Sequence, residues 1–388
     1  MSMNKGNTLA LSEDTSRLLA ILSGAAETFG TPDDQEWTRL IDLAMKNGVS
    51  QMLFTALKRM GIAAPAPHAE RLRSLHLASA VNNTKRIHEL DKILQALEAA
   101  SITVIPVKGA WLSEAIYDNI ALRGMADIDL WIQRYDIDTA KSVLAALGYS
   151  INDKQQNRPQ ALHDALIGET SLFKQESPIV ELHWRIFHGE WLRHTARIDD
   201  ALILQRTLPL KSEYVRQLSC EDAIIHIAVH LAVNHYMSMS GLRALLDLNA
   251  VRKKLNVKWP LVARRAKEWQ VATPVWLVLT MLDQLFVDPD HTLPLKELQP
   301  SRLHRSLLGR FVTPFSMVDG VDIKGPKRFL FLFALVDHPL DALKLLWQGV
   351  APDRTWLTLR YGLQDAPKWR VFLQRLWHPL SIALHKEI

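Results

Sequence analysis

The stretch from Thr103 to Gln133 constrains the fold of this chain more than any other. Its first part, Ile102 to Val107, is apolar and rich in β-branched residues, which predicts a buried strand. Lys108-Gly109 follows, and because glycine lacks Cβ the chain can turn sharply there into a helix over Ala110 to Tyr117. A second strand then opens with Asp127-Ile128-Asp129-Leu130. The pattern therefore predicts a strand, turn, helix, loop and strand in succession.

The two aspartates of the second strand are the first sign of a site. Side chains of a strand alternate between its faces, so Asp127 and Asp129 lie on one face while Ile128 and Leu130 point into the core. Adjacent carboxylates repel each other unless positive charge lies between them, and carboxylate oxygens are the ligands that Mg²⁺ prefers. The pattern predicts a metal site. The alternative is a turn-capping Asp127 and an Asp129 on a solvated sheet edge.

A third carboxylate stands on a later apolar strand, Ile179 to Trp184, whose alternation places Glu181 and His183 on one face. If that strand pairs beside the aspartate strand, Glu181 completes a cluster of three carboxylates. The alternatives are a surface charge for Glu181, and for His183 a structural packing role against Trp184.

These motifs resemble the DNA polymerase β-type nucleotidyltransferase superfamily and, more narrowly, the bacterial group called simply nucleotidyltransferase family proteins. The likeness spans most of the chain, and its central motifs are the specific part. It is carried by Val107-Lys108-Gly109, Tyr117, Arg123, Asp127 to Leu130 and Glu181 to Trp184, with flanking support from Trp37 to Leu57, Ser219 to His235, Leu242 to Asp247 and Leu359 to Gly362. The chain departs from the superfamily in carrying Gly109-Ala110 where a Gly-Ser pair is usual, and in a longer gap from Gly109 to Asp127.

The resemblance implies transfer of an NMP unit from an NTP to a hydroxyl or phosphate of an unidentified acceptor, with release of pyrophosphate. The acceptor is a small molecule, a peptide or an RNA end. Two Mg²⁺ ions, or Mn²⁺, would neutralise charge on both sides of the transfer. The implied catalytic residues and metal ligands are Asp127, Asp129 and Glu181.

Other residues are expected around the phosphates and the acceptor. The Gly109 turn opens a helix whose free N–H groups suit phosphate, with Lys108 and Arg123 as cationic clamps. Ordinary surface charge is the alternative for both. The substrate-side candidates are His183, His230, Arg243 and Asp247.

Two of these candidates have plainer explanations. His226 and His230 share one helical stripe and would also suit zinc, although the helix lacks the glutamate of a metalloprotease. Arg243 and Asp247, four residues apart, would also suit an ion pair along one helix.

The rest of the chain predicts a mostly helical α+β protein with a small mixed sheet. Ser12 and Thr31-Pro32 signal helix starts, Asp136 can cap a helix over Ile137 to Leu147, and Thr170 to Lys174 forms a hairpin with Ile179 to Trp184. The long helical pattern from His68 to Ala100 leads into the sheet. The expected domains are an N-terminal helical region (1–84), a nucleotidyltransferase core (85–195) and a C-terminal helical domain (196–388).

Composition excludes several classes of protein. A net charge of +5 with scattered basic residues suits a nucleotide substrate but falls short of a nucleic-acid-binding footprint. The single cysteine, Cys220, excludes an internal disulfide. The sequence shows neither a secretory signal nor a run long enough to span a bilayer, which favours a cytoplasmic protein. A homo-oligomer remains open.

Two other functions stay in view. Ala110 in place of serine favours a non-catalytic nucleotide-binding scaffold, and tryptophans near basic residues favour an RNA-binding or tRNA-end protein. The segment from Trp369 to His385 reads as a basic amphipathic helix, for a membrane surface, a core contact or a protomer contact.

Overall fold

The computed structural model describes residues 12–25, 29–151, 168–238, 241–286, 292–321, 323–363 and 365–384. The chain is mostly helical with one small mixed sheet, which confirms the predicted α+β class. The division at residues 84 and 195 stays a proposal, and one helix runs unbroken across residue 84.

Four helices precede the sheet. They are α1 (Glu13–Ser23), α2 (Asp34–Lys46), α3 (Ser50–Arg59) and α4 (Ala66–Ala99). Ser12 caps α1 as predicted, since its hydroxyl accepts the N–H of Thr15. The start of α2 differs from the Thr31-Pro32 prediction. Asp33 accepts the N–H of Glu36 and Glu36 accepts that of Asp33, so this reciprocal pair satisfies two end groups of the helix.

The sheet has the strand order β1-β2-β5-β4-β3, in which β2 and β5 are parallel and every other pair is antiparallel. The predicted hairpin is β4 with β5. The strands are β1 (Val104–Pro106), β2 (Asp127–Ile132), β3 (Ser150–Ile151), β4 (Glu169–Phe173) and β5 (Ile179–His183). Helices α5 (Lys108–Ala115) and α6 (Ile137–Ala146) connect them. Asp136 stands at the start of α6, but its side chain makes no capping hydrogen bond there.

Helices dominate again after the sheet. They are α7 (Glu190–Thr195), α8 (Asp200–Gln205), α9 (Cys220–Val229), α10 (Gly241–Lys254), α11 (Trp259–Glu268), α12 (Ala272–Leu285), α13 (Leu295–Leu298), α14 (Arg302–Leu308), α15 (Pro314–Asp319), α16 (Pro326–Ala334), α17 (Pro339–Val350), α18 (Arg354–Arg360) and α19 (Lys368–Leu384). A two-stranded ribbon of β6 (Leu208–Pro209) and β7 (Arg216–Gln217) precedes α9, and a π-helical turn, His230–Asn234, follows it. None of the described helices combines the length and the apolar character that crossing a bilayer requires.

The two faces of β2 pack into different apolar clusters. Ile128, Leu130 and Ile132 are fully buried in the cluster that also contains residues of α4 and α6. Trp131, on the opposite face, belongs to the larger cluster formed with the N-terminal and C-terminal helices. Asp127 and Asp129 share that second face, so strand alternation directs them toward the helices after the sheet.

Candidate active site

The register of two parallel strands brings the predicted carboxylates together. Asp129 on β2 stands opposite Glu181 on β5, and Asp127 stands two residues earlier on the same face. The expectation that the glutamate strand pairs beside the aspartate strand is confirmed. Three oxygen-bearing side chains, far apart along the chain, therefore share one patch of the sheet.

This patch opens into a cavity of about 410 Å³ between the sheet and helices α9 and α10. A cavity of this size accepts a small organic ligand. The predicted residues that line it are Lys108, Gly109, Arg123, Asp127, Asp129, Glu181, His230, Arg243 and Asp247. His183, the remaining predicted residue, is buried beside them against Asp129.

Asp129 is the most tightly held carboxylate of the cavity. Lys108 Nζ lies 2.7 Å from its Oδ1, and His183 Nε2 lies 2.9 Å from the same atom. Burial by itself would raise the pKa of Asp129, but Lys108 and His183 together hold that pKa well below its usual range. Asp129 is therefore a permanent anion, already surrounded by positive charge.

His183 is placed between two carboxylates. Its Nε2 lies beside Asp129, and its Nδ1 lies 3.1 Å from Oε2 of Glu169. Burial would lower the pKa of the imidazole, yet bonding to Asp129 and Glu169 outweighs it and raises the pKa to about 9. His183 is thus a cation that orients Asp129. Its packing is against His188, with ring centroids 4.9 Å apart.

Glu181 has the opposite electrostatic character. Burial, followed by repulsion from Asp129 and Glu169, raises its pKa to about 7. Burial and Asp129 raise the pKa of Asp127 as well. Carboxylates whose charge is disfavoured in this way gain from a cation, so both are prepared to bind one.

The side chains fit a divalent metal ion. One ligand atom from each of Asp129, Glu181 and His183 lies within 4.8 Å of the others, and Glu169, His183 and His188 form a second such group. The cavity also carries Asp127, which gives it four carboxylates in all. Carboxylate oxygens are the ligands of Mg²⁺ and Mn²⁺, so these residues suit either ion.

The turn after β1 differs from its prediction in detail. Helix α5 begins at Lys108, two residues earlier than expected, and Lys108 itself has the positive φ of 50°. Left-handed backbone is uncommon for a residue with a side chain, and here the bond to Asp129 holds it. Gly109 instead supplies space, because a Cβ there would lie 3.3 Å from Met125.

Ala110 lies away from the cavity. It is 1 % exposed and packs in the apolar cluster with α4 and α6. The hydroxyl that the chain lacks at this position is therefore missing from the core side of α5, whereas Lys108 and Gly109 line the cavity.

Arg123 does not hang over the cavity as a mobile clamp. It is buried, and its Nε lies 2.9 Å from Oδ2 of Asp247, which also accepts a bond from Tyr117. Asn83 of α4 holds the same loop by donating to the carbonyl of Arg123 and accepting the N–H of Met125. The expectation of a loop that folds over the nucleotide is therefore wrong, because this loop is fixed from beneath.

Asp247 pairs with Arg123, so the predicted ion pair between Arg243 and Asp247 is not what the fold forms. Within the described part of the chain, the Arg243 side chain makes no hydrogen bond and no ion pair. Burial and the nearby charge of Arg123 lower its pKa to about 10. Gly48 has φ 66° and makes room for it, since a Cβ there would lie 3.3 Å from Nη1 of Arg243. Arg243 is thus a cation at the cavity wall with its donors uncommitted.

The histidine stripe does not form a regular zinc site. The helix changes to π geometry at His230, and His230 Nε2 contacts His235 Nε2 at 2.7 Å. Burial lowers the pKa values of His226 and His230 well below normal and lowers that of His235. Neutral imidazoles therefore form the wall opposite the carboxylates.

Glu169 and His188 line the cavity and were not predicted. Glu169 stands opposite His183 in the antiparallel β4–β5 pair, and His188 Nε2 lies 3.3 Å from it. The hairpin was expected to begin at Thr170, one residue too late. Extending it by that residue would have placed a fourth carboxylate beside His183.

Comparison with known proteins gives one match. Residues 33–287 match a family described as uncharacterised nucleotidyltransferase, which covers all of the sheet and the helices around the cavity. No curated protein and no solved structure matches the chain. The match extends over well over half of the sequence, so the chain belongs to this nucleotidyltransferase family.

Proposed function

We propose that the protein is a Mg²⁺-dependent nucleotidyltransferase that moves an NMP unit from an NTP to a hydroxyl or phosphate of an acceptor and releases pyrophosphate. Membership of the family supports the reaction class. The observation that carries the proposal is the parallel register that sets Asp129 opposite Glu181 at the floor of a cavity.

Asp127, Asp129 and Glu181 are the residues that would hold the metal. Bound Mg²⁺ supplies positive charge that stabilises the transferring phosphoryl group. Lys108 and His183 keep Asp129 ionised and fixed in direction. Preorganised ligands lower the cost of assembling such a site.

Glu181 is the proposed general base. A pKa of about 7 lets the group accept a proton near neutral pH and still be present as carboxylate. It takes the proton of the acceptor hydroxyl while that oxygen forms a bond to the α-phosphorus. The bond from the α-phosphorus to the bridging oxygen breaks, and pyrophosphate leaves with the electron pair.

The triphosphate is proposed to bind beside the start of α5. Backbone N–H groups of a helix N-terminus favour an anion, and Lys108 and Gly109 stand there. Arg243 supplies the uncommitted guanidinium, which can bind phosphate with two donors. Arg123 is proposed to act indirectly, because its charge is already neutralised by Asp247.

The acceptor is proposed to lie against the neutral wall. His230 and His235 offer imidazole nitrogens to a hydroxyl there without adding charge. Asp247 lines the same cavity but faces Arg123 and Tyr117, which makes it a support of the wall.

Purified protein incubated with cell extract, Mg²⁺ and NTPs tests the proposal. Label from the α-phosphate should enter an acceptor and label from the γ-phosphate should appear in pyrophosphate, whereas a kinase reaction would reverse the two. Asp127→Ala and Asp129→Ala should each abolish labelling. Asp138→Ala, which removes an exposed carboxylate of α6, is the matched control. Unchanged labelling in the two site variants would refute their role.

The non-catalytic scaffold is tested in the same preparation. Calorimetry with each NTP, with and without Mg²⁺, measures binding separately from turnover. Tight binding with no product from any extract would favour the scaffold. Its sequence support is weaker than the sequence suggested, because Ala110 does not line the cavity.

A further inference from the structure

The C-terminal helices carry an apolar face that no described part of the chain covers. Eleven of the 21 exposed large apolar side chains lie between Phe329 and Trp377, so more than half of them fall in a small part of the described chain. Three of the eleven are tryptophans. Trp347, Trp369 and Trp377 are 63 %, 64 % and 53 % exposed. Exposed apolar surface concentrated in this way marks an interaction site.

The pattern on α19 is that of an amphipathic helix lying on a surface. Its exposed apolar residues recur every three or four positions, so they share one side of the helix. They are Trp369, Phe372, Leu373, Leu376 and Trp377. Val371 and His378, on the other side, are buried against the protein. Core packing, one explanation offered for this segment, is therefore wrong for the exposed stripe. Its last part, with His385 and Lys386, lies outside the described residues.

Helix α17 extends the same kind of surface. Leu340, Leu343 and Trp347 are exposed at spacings of three and four residues, and α17 contacts α19. Two neighbouring helices thus each present an apolar stripe to solvent. A single stray side chain would need no explanation, but two aligned stripes do.

The charge around these stripes is strongly positive. Residues 326–388 contain nine Lys and Arg against five Asp and Glu, which accounts for +4 of the chain's net +5. Among the described residues of this region, the exposed acid is Asp365. The exposed cations are Lys327, Arg328, Lys344, Arg354, Arg360, Lys368 and Arg370. The apolar face is therefore bordered by cations with little acidic compensation.

We propose that this face docks on the surface of an anionic lipid bilayer. Tryptophan favours the boundary between headgroups and acyl chains, and leucine and phenylalanine enter the acyl region below it. Each Lys or Arg near an anionic leaflet contributes about 1 kcal/mol of attraction. The basic border and the apolar centre match this surface in both respects.

A second copy of the chain fits the face less well. A two-fold contact would set the same patch against itself and bring cations on one copy toward those on the other. The family match ends at residue 287, so α17 and α19 belong to a part of this chain outside the matched region. The docking face is accordingly an addition to the nucleotidyltransferase core.

Co-sedimentation of the full-length protein with lipid vesicles tests the inference. Vesicles of phosphatidylcholine alone are compared with an equal mixture of phosphatidylcholine and phosphatidylglycerol, at low and high salt. The protein should sediment with the anionic vesicles, should be released by salt, and should show a blue shift of tryptophan fluorescence when bound. The double variant Trp369→Ser/Trp377→Ser should lose most of the binding. Both side chains are exposed, so its melting temperature should stay close to that of the parent.

Matched variants separate charge from apolar insertion. Lys368→Glu/Arg370→Glu should weaken binding to the anionic vesicles at least tenfold. Arg264→Glu/Lys267→Glu makes the same charge change on exposed residues of α11 and should leave it unchanged. Equal binding to both vesicle types, or equal loss in both charge variants, would overturn the inference. So would a concentration-dependent dimer, detected by light scattering, that fails to bind vesicles and that Trp369→Ser/Trp377→Ser dissociates.

Discussion

Arg123 and Asp247 stand 124 residues apart in the chain, yet the Nε of the first lies 2.9 Å from the Oδ2 of the second in a buried ion pair. The pair joins the loop before β2 to helix α10, so it ties the sheet to the helices that close the cavity. Its two partners have side-chain exposures of 9 % and 2 %.

Removing one partner of this pair should destabilise the fold. Arg123→Met and Asp247→Asn should each lower the free energy of unfolding by about 3–5 kcal/mol, because each leaves a buried charge uncompensated. The double variant should recover a large part of the loss. Urea denaturation measures all three. Arg264→Met breaks an exposed pair with Glu268 and should cost less than about 1 kcal/mol. Losses for Arg123→Met as small as this control's would contradict the structural role.

Arg243 should behave in the opposite way to Arg123. Arg243→Met removes a half-buried charge that has no partner in the described chain, so stability should be unchanged or rise. Affinity for Mg²⁺-NTP and for tripolyphosphate should fall about 10- to 100-fold, the value of a charge-assisted contact. Calorimetry measures both affinities. Arg243→Lys, which keeps the charge and loses the two-donor geometry, should lie between. A variant that is destabilised but binds NTP normally would assign Arg243 to the scaffold.

Metal affinity should depend on pH through Glu181. Below its pKa of about 7 a proton competes with the metal ion, so apparent Mn²⁺ affinity should fall by up to about tenfold per pH unit as pH drops from about 7. Electron paramagnetic resonance of free Mn²⁺ gives the affinity. Glu181→Gln should weaken binding and flatten its pH dependence in this range. Glu176→Gln, at the exposed tip of the same hairpin, is the control. An unchanged slope in Glu181→Gln would remove Glu181 from the metal site.

The buried histidines should make the protein sensitive to acid. Burial depresses the folded-state pKa of His226 well below 6.5, so below that pH the unfolded chain binds a proton that the folded chain does not. Stability is therefore full above about pH 6.5 and falls as the pH drops, by up to about 1.4 kcal/mol per unit for this residue. The contribution is isolated by comparing the parent with His226→Gln in urea denaturation at several pH values. The variant should lose less stability on acidification, whatever its stability at neutral pH. Parallel curves would show that His226 is already protonated in the fold.

Strand and helix periodicity determined much of this protein from the sequence by itself. The alternation of side chains along a strand fixed Asp127 with Asp129 and Glu181 with His183 on common faces, because that geometry is local to each strand. The helix start at Ser12, the hairpin of β4 and β5 and the mostly helical fold class followed from equally local signals. The family could be named from the motifs at the same stage, since they lie within short segments.

Only the tertiary structure decided which side chains meet. The parallel register of Asp129 with Glu181, the pairing of Arg123 with Asp247, and the entry of Glu169 beside His183 each depend on segments far apart along the chain. Asp247 had a cation four residues away on its own helix and another across the cavity, and packing selected the distant one. Sequence spacing measures separation along the backbone, whereas these pairings depend on burial in three dimensions, where the strongest available partner is whichever charge the fold brings nearest.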